Sequence, residues 1–389
     1  MHGKDRKLLA LFIFFLNINP DAKRNMPEDV SVLEEKLASV IIDDYREVAK
    51  EVEKVGLPAW ATYGCKPWTI LNITICRELG VPKKKRVACA AVVDIGSRAV
   101  ALADDIIDKE IPITLETSYV FGDYMLGIMS LAFKHQSKGL ILQEEHEALS
   151  NIVCEQQKLM FDGIRWQRDN GQLNNCSVNF EGFLENYLDK ICGGLFYWTI
   201  LPIGIYHRPA QKHITKIVPA VKNFARTFQL KDDIGDVLHD YKEGQLTSAL
   251  FFIRDIPEEL EKLKEEAKSE RRLSSEEFAT LFPESYQKIS SRIHTEEESA
   301  LQVLLAANVP VRYYDIIGLL SNNQVYRRLR ARIDEEIYPK KPEFPKPYTS
   351  EEKEQVRYIL QKAKRTQENL ASRFVTAVAV AHERNKLAG

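Results

Sequence analysis

The sequence predicts an all-α protein, a large helical bundle, and three observations predict it. Apolar residues recur at spacings of three and four with charges between them, the pattern of helices that bury one face. No stretch alternates convincingly between apolar and polar residues within turn boundaries, as half-buried strands do. No Gly/Ser linker, repeat or low-complexity block divides residues 26–335.

Residues 1–29 read as an N-terminal extension. Leu8–Leu16 (LLALFIFFL) follows Lys4, Arg6 and Lys7, but nine apolar residues are too few for a span of about 20. No small-residue cleavage site follows in NINPDAKRN, so neither a signal peptide nor a stable membrane span is expected. Met26 opens MPEDVSVLEEKLASV, which reads as a natural start and a capped helix.

Val30–Val55 is amphipathic. Lys84–Asp108, largely apolar over Val87–Ala103, reads as a helix buried on most sides. Further helices are expected over about 116–135, 143–169, 179–206, 211–239, 256–270, 285–306 and 311–336. Pro339–Pro347 (PKKPEFPKP) must run extended, because proline removes helix donors, and it precedes a last helix over about Ser350–Leu387. The expected organisation is therefore an extension (1–29), a helical domain (30–338), and a linker with a C-terminal helix (339–389).

Composition narrows the partners. A chain of 389 residues, 44% hydrophobic, can bury a substantial core. Its 54 Lys plus Arg nearly balance 56 Asp plus Glu, which argues against a nucleic-acid binder. Any anionic ligand must be held by metal ions or a few placed cations. The six cysteines lack a C-x-x-C spacing, which indicates neither a zinc site nor a disulfide framework and fits a cytoplasmic protein.

The chemical signal is a pair of aspartate clusters. Asp104, Asp105 and Asp108 end the apolar helix, and Asp232, Asp233 and Asp236 repeat the spacing later in the chain. On a helix, residues four apart project from one face. Carboxylates so close repel one another unless they are solvated or bind cations. Mg²⁺ takes hard oxygen ligands, commonly one or two carboxylates with phosphate oxygens and water completing an octahedron. Two such clusters would clamp a diphosphate through bridging metals and neutralise it as a leaving group.

These residues resemble the trans-isoprenyl diphosphate synthases and the related class I terpene synthases of the same helical fold. LADDIIDKE is similar to the first aspartate-rich motif of that family, and FQLKDDIGDVLHDYKEGQLT to the second. Phe121–Gly127 (FGDYMLG), Cys154–Gln157 (CEQQ) and Tyr187–Phe196 (YLDKICGGLF) resemble intervening helices in the right order. The resemblance implies an isoprenoid-synthase bundle, Mg²⁺ at Asp104, Asp105, Asp108, Asp232, Asp233 and Asp236, and an allylic prenyl diphosphate as substrate. It further implies Lys190 as a diphosphate-binding residue. Lys66, Arg98 and Gln229 are additional candidates for the substrate, and a homodimer is a possible assembly.

The departures from that pattern suggest which reaction follows. Tyr63–Trp68 (YGCKPW) keeps Lys66 but lacks the arginine of the element that binds isopentenyl diphosphate. Lys109–Thr114 contains no arginine where the family has a pair, and Gln245 stands where lysine is common. An acceptor diphosphate buried without paired cations is costly. The sequence thus favours a terpene synthase that ionises one substrate, such as farnesyl or geranylgeranyl diphosphate, and cyclises or quenches the cation. The alternatives are a chain-elongating prenyl diphosphate synthase and a non-catalytic synthase subunit. Arg98, or the cluster Arg327, Arg328, Arg330 and Arg332, could replace the missing cations. Phe196, Tyr197, Trp198, Tyr119 and Phe121 are candidate aromatic faces for a carbocation.

Overall fold

The computed structural model describes residues 28–107, 115–171, 178–269, 271–307 and 323–343. Its long helices are α1 (Glu28–Glu53), α4 (Lys83–Ile107), α5 (Leu115–Ser137), α6 (Gln143–Asn170), α8 (Asp189–Tyr206), α9 (Gln211–Glu243), α13 (Pro283–Ala306) and α14 (Asn323–Ile337). Shorter ones are α2 (Ala59–Thr62), α3 (Pro67–Glu78), α7 (Phe180–Phe183), α10 (Ser248–Ile253), α11 (Pro257–Glu266) and α12 (Ser275–Leu281). The described residues contain no strand.

The expected long helices form within a few residues of their predicted ends, except that residues 311–322 of the helix expected over 311–336 lie outside the described residues. The sequence reading missed α2, α3, α10 and α12. Residues 1–27 of the expected N-terminal extension (1–29), and the helix expected over Ser350–Leu387, lie outside the described residues. Tyr338–Glu343 is non-helical, as its prolines require.

Contacts group the chain into two compact units, Met1–Val100 with Gly122–Pro342, and Ala101–Phe121 with Glu343–Gly389. In the smaller unit Leu102, Thr117 and Val120 are buried and Tyr119 is exposed.

The larger unit is organised around α8. This helix packs against α3, α6 and α9, and its apolar run buries most of its residues. Phe180–Tyr206 is the one described stretch long and apolar enough to cross a membrane, and 72% of its apolar window lies inside the fold. Gly96 explains how closely α4 and α8 approach. A Cβ there would lie 2.1 Å from Trp198 Nε1, whose N–H donates to the Val93 carbonyl. Trp198, a candidate carbocation face in the sequence, is therefore a core residue.

Arg98 is also placed in the core. It is 1% exposed, and its Nε donates to Asp94 at 2.5 Å. Its remaining nitrogens reach the carbonyls of Tyr63 and Gly64 at 2.9 and 2.8 Å. Tyr45 and Thr69 also donate to Asp94. Arg98, a substrate candidate in the sequence, pairs here with a buried carboxylate and donates to the Tyr63–Gly64 turn. Of the other arginines considered, Arg328, Arg330 and Arg332 lie on the exposed side of α14.

One buried titratable pair links stability to pH. His135 Nδ1 lies 2.7 Å from the Tyr206 hydroxyl, and burial lowers the imidazole to about 4. A depressed histidine binds protons more readily when unfolded. Its contribution is therefore complete above about 6.5 and is lost as pH falls toward about 4, on the order of 2–3 kcal/mol. Urea melts from pH 7 to pH 4.5 should show this loss in the wild type and a flatter dependence in His135→Gln. Equal slopes would refute the assignment.

Candidate functional site

The second aspartate cluster sits near the C-terminal end of α9, which closes at Gly244 in the left-handed conformation (φ 70°). Successive helical positions send its three carboxylates in different directions. Asp233 points inward and is buried. It accepts from Gln229 Nε2 at 2.7 Å, Ser248 N at 2.8 Å and Ser248 Oγ at 2.5 Å. Those bonds pin the start of α10 to α9, as a capping carboxylate does. Burial nevertheless raises Asp233 to about 6 against the lowering effect of these donors.

Asp232 and Asp236 face outward, with side chains 48% and 34% exposed. Both accept from one guanidinium nitrogen: Arg272 Nη2 is 3.3 Å from Asp232 and 2.5 Å from Asp236. A cation thus already bridges the two carboxylates. This arrangement fits Mg²⁺, which needs only one or two carboxylates when phosphate and water supply the rest. Asp233 does not fit equally, because both its oxygens are committed to the fold. Of the three aspartates of this motif, Asp232 and Asp236 are the ones that face outward. Among the described residues no group of three or more Asp, Glu, His or Cys stands together as a ready-made metal site.

Gln229 is likewise engaged. Its amide donates to Asp233, and its carbonyl oxygen accepts from Cys192 Sγ at 2.7 Å. The chain Cys192–Gln229–Asp233–Ser248 ties α8, α9 and α10 together. Gln229, a substrate candidate in the sequence, makes these contacts within the fold.

Lys190 lies on the first turn of α8, just after a π-helical turn over Leu184–Leu188. Such turns shift the phase of the side chains that follow. Its neighbour Asp189 accepts from Nε and Nη2 of Arg226 at 2.6 and 2.7 Å, and from Lys222 at 2.8 Å. Arg226 continues to Glu296 on α13. Lys190 itself packs at Gly163 of α6, where an added Cβ would meet its own at 3.0 Å. Its side chain is half-buried, with no hydrogen bond or ion pair among the described residues. That leaves its ammonium available for a ligand.

Lys66 stands at the N-cap of α3, and its backbone N–H donates to the Tyr45 hydroxyl at 2.9 Å. Two residues on, Trp68 packs edge-on against Phe196 of α8 and Phe228 of α9, with centroids 4.6 and 5.1 Å away. Phe228 immediately precedes Gln229 and is 38% exposed. This trio joins the Lys66 turn to the helix of the second motif. The sequence reading had singled out Phe196 but missed Trp68 and Phe228, since separate aromatics carry no spacing signal.

The first cluster is less fully described. Asp104 and Asp105 lie on the last turn of α4, with only their backbone described, and Asp108 lies outside the described residues. They belong to the smaller unit.

No family model matches the sequence, and no curated protein matches it. The fold is shared with solved prenyl synthases. A polyprenyl synthase from Roseobacter denitrificans aligns with a TM-score of 0.55 at 16% identity, covering 76% of this chain and 98% of that one. A decaprenyl diphosphate synthase from Rhodobacter capsulatus gives 0.52 at 16%, covering 76% and 99%. A geranylgeranyl pyrophosphate synthetase from the archaeon Geoglobus acetivorans gives 0.52 at 18%, covering 74% and 99%. The chain has the helical fold of the trans-isoprenyl diphosphate synthases.

Proposed function

We propose that this chain is a Mg²⁺-dependent enzyme of isoprenyl diphosphate chemistry that ionises an allylic prenyl diphosphate and transfers the prenyl group to isopentenyl diphosphate. The observation that carries the reading is the outward pair Asp232 and Asp236, bridged by a cation. The fold likeness to proteins named as prenyl diphosphate synthases favours elongation over the cyclase expected from the sequence.

Mg²⁺ would supply Lewis-acid stabilisation of the departing diphosphate. Asp232 and Asp236 would hold that metal, and Lys190 would give the diphosphate a direct charge-assisted hydrogen bond. The C–O bond breaks with its electrons on the diphosphate, leaving an allylic cation. The double bond of isopentenyl diphosphate then attacks it, and loss of a proton restores an alkene. The trio Trp68, Phe196 and Phe228 offers aromatic faces near the motif that can stabilise positive charge. Asp104, Asp105 and Asp108 would provide the second carboxylate set.

A terpene synthase remains the second reading, because Arg98 is committed to the core and Lys66 is the one basic residue kept in its element. Incubation with geranyl, farnesyl or geranylgeranyl diphosphate, with and without isopentenyl diphosphate, separates the readings. A longer prenyl diphosphate supports elongation, a hydrocarbon or alcohol from one substrate supports cyclisation, and no turnover supports a non-catalytic subunit.

A homodimer in the cytoplasm is the expected state. Leu126, Met129 and Phe133 are exposed along one face of α5, an apolar stripe suited to a second copy, and the described cysteines are free thiols. Sedimentation should give twice the chain mass; a monomer at micromolar concentration would contradict the dimer.

A further inference from the structure

We propose that Arg272 is a resident counter-cation of the second aspartate pair, holding the metal's place in the substrate-free protein and turning to the diphosphate when Mg²⁺ takes the carboxylates. The proposal rests on the reading of Asp232 and Asp236 as metal ligands. Two carboxylates one helical turn apart repel each other, and a shared guanidinium offsets that repulsion. Mg²⁺ carries two charges and seeks the same oxygens, so metal and arginine compete for them.

The arginine is rooted at the motif. The Leu273 N–H donates to the Gly235 carbonyl at 3.0 Å, and the Leu273 side chain is buried. Gly235 leaves bare backbone against the guanidinium, since a Cβ there would meet Arg272 Nε and Nη2 at 3.4 Å. Directly afterwards Ser274 and Glu277 form a capping box that fixes the start of α12. Arg271 pairs elsewhere, with Glu266 and Glu277, so the two adjacent arginines have separate partners. The Arg272 side chain itself is 67% exposed, which leaves it room to change partners. Its planar fork suits diphosphate oxygens as well as carboxylates.

The test is calorimetric titration of Mg²⁺ into substrate-free wild type, Arg272→Ala, Arg272→Lys and Asp232→Asn. Inorganic diphosphate is then titrated at saturating Mg²⁺. Arg272→Ala should bind Mg²⁺ roughly three- to tenfold more tightly and Mg²⁺-diphosphate at least about tenfold more weakly. Arg272→Lys should keep near-wild-type Mg²⁺ affinity while losing part of the diphosphate affinity. Unchanged or weaker Mg²⁺ binding in Arg272→Ala, with binding still lost in Asp232→Asn, overturns the role of Arg272 alone. Mg²⁺ binding that is indifferent to Asp232→Asn overturns the metal reading beneath it.

Discussion

Asp232→Ala is expected to lower diphosphate release from an allylic substrate by about 100-fold or more while leaving the fold intact. Its side chain is about half exposed, and its contact with the fold is the 3.3 Å bond from Arg272. Exposed pairs of this kind contribute about 0–1 kcal/mol, so the melting temperature should barely move. The reaction loses more. Metal-held stabilisation of a leaving diphosphate is worth several kcal/mol, and about 1.4 kcal/mol corresponds to each tenfold in rate. Asp233→Ala should behave in the opposite way. That change strips three hydrogen bonds from the junction of α9 and α10, leaving buried donors of Ser248 and Gln229 unpaired, and should lower stability by about 2–4 kcal/mol. Diphosphate release and thermal melts on both variants separate the roles. Wild-type turnover in Asp232→Ala would sink the metal assignment.

Arg98→Met should destabilise the protein by about 3–5 kcal/mol, the range for breaking one side of a buried ion pair. The substitution leaves the Asp94 carboxylate buried with only the Tyr45 and Thr69 donors, and takes donors from the carbonyls of Tyr63 and Gly64. The Tyr63–Lys66 turn should loosen, because Arg98 holds it from below while Asp334 of α14 accepts the Cys65 N–H at 2.7 Å. The double variant Asp94→Leu/Arg98→Met should recover part of the loss, as removing both charges removes the unpaired one. Urea denaturation gives the stabilities directly. If Arg98→Met keeps wild-type stability and instead loses affinity for isopentenyl diphosphate, the residue binds substrate after all.

The helical class and the span of most of the long helices were legible because burying one face of a helix imposes a period on the sequence. Helices α2, α3, α10 and α12 escaped for the converse reason. Trp68–Cys76 of α3 is almost entirely buried and so shows no polar face to mark a period. Helices α2, α10 and α12 are too short to display one.

The aspartate clusters were legible as motifs, but not the direction of each carboxylate. Spacing treats Asp232, Asp233 and Asp236 alike, whereas the packing of α10 buries the middle one and leaves its neighbours facing outward. Arg272 could not have been found from spacing, since it lies far along the chain and reaches the motif through the Leu273–Gly235 contact. Arg98 was ambiguous for a related reason. An arginine on an apolar helix four residues after an aspartate reads equally as a substrate cation or as half of a buried pair, and only the surrounding donors and acceptors decide.

The central claim is that Asp232 and Asp236 hold Mg²⁺ for the departure of an allylic diphosphate. The most direct measurement is diphosphate release from geranyl, farnesyl and geranylgeranyl diphosphates in the presence of isopentenyl diphosphate. It should be run with Mg²⁺ and with a chelator, on wild type and on Asp232→Ala and Asp236→Ala. The account predicts release that the chelator abolishes, that Mg²⁺ restores, and that each variant loses by about 100-fold at an unchanged melting temperature. Release that persists in chelator, or that survives both substitutions, would contradict it.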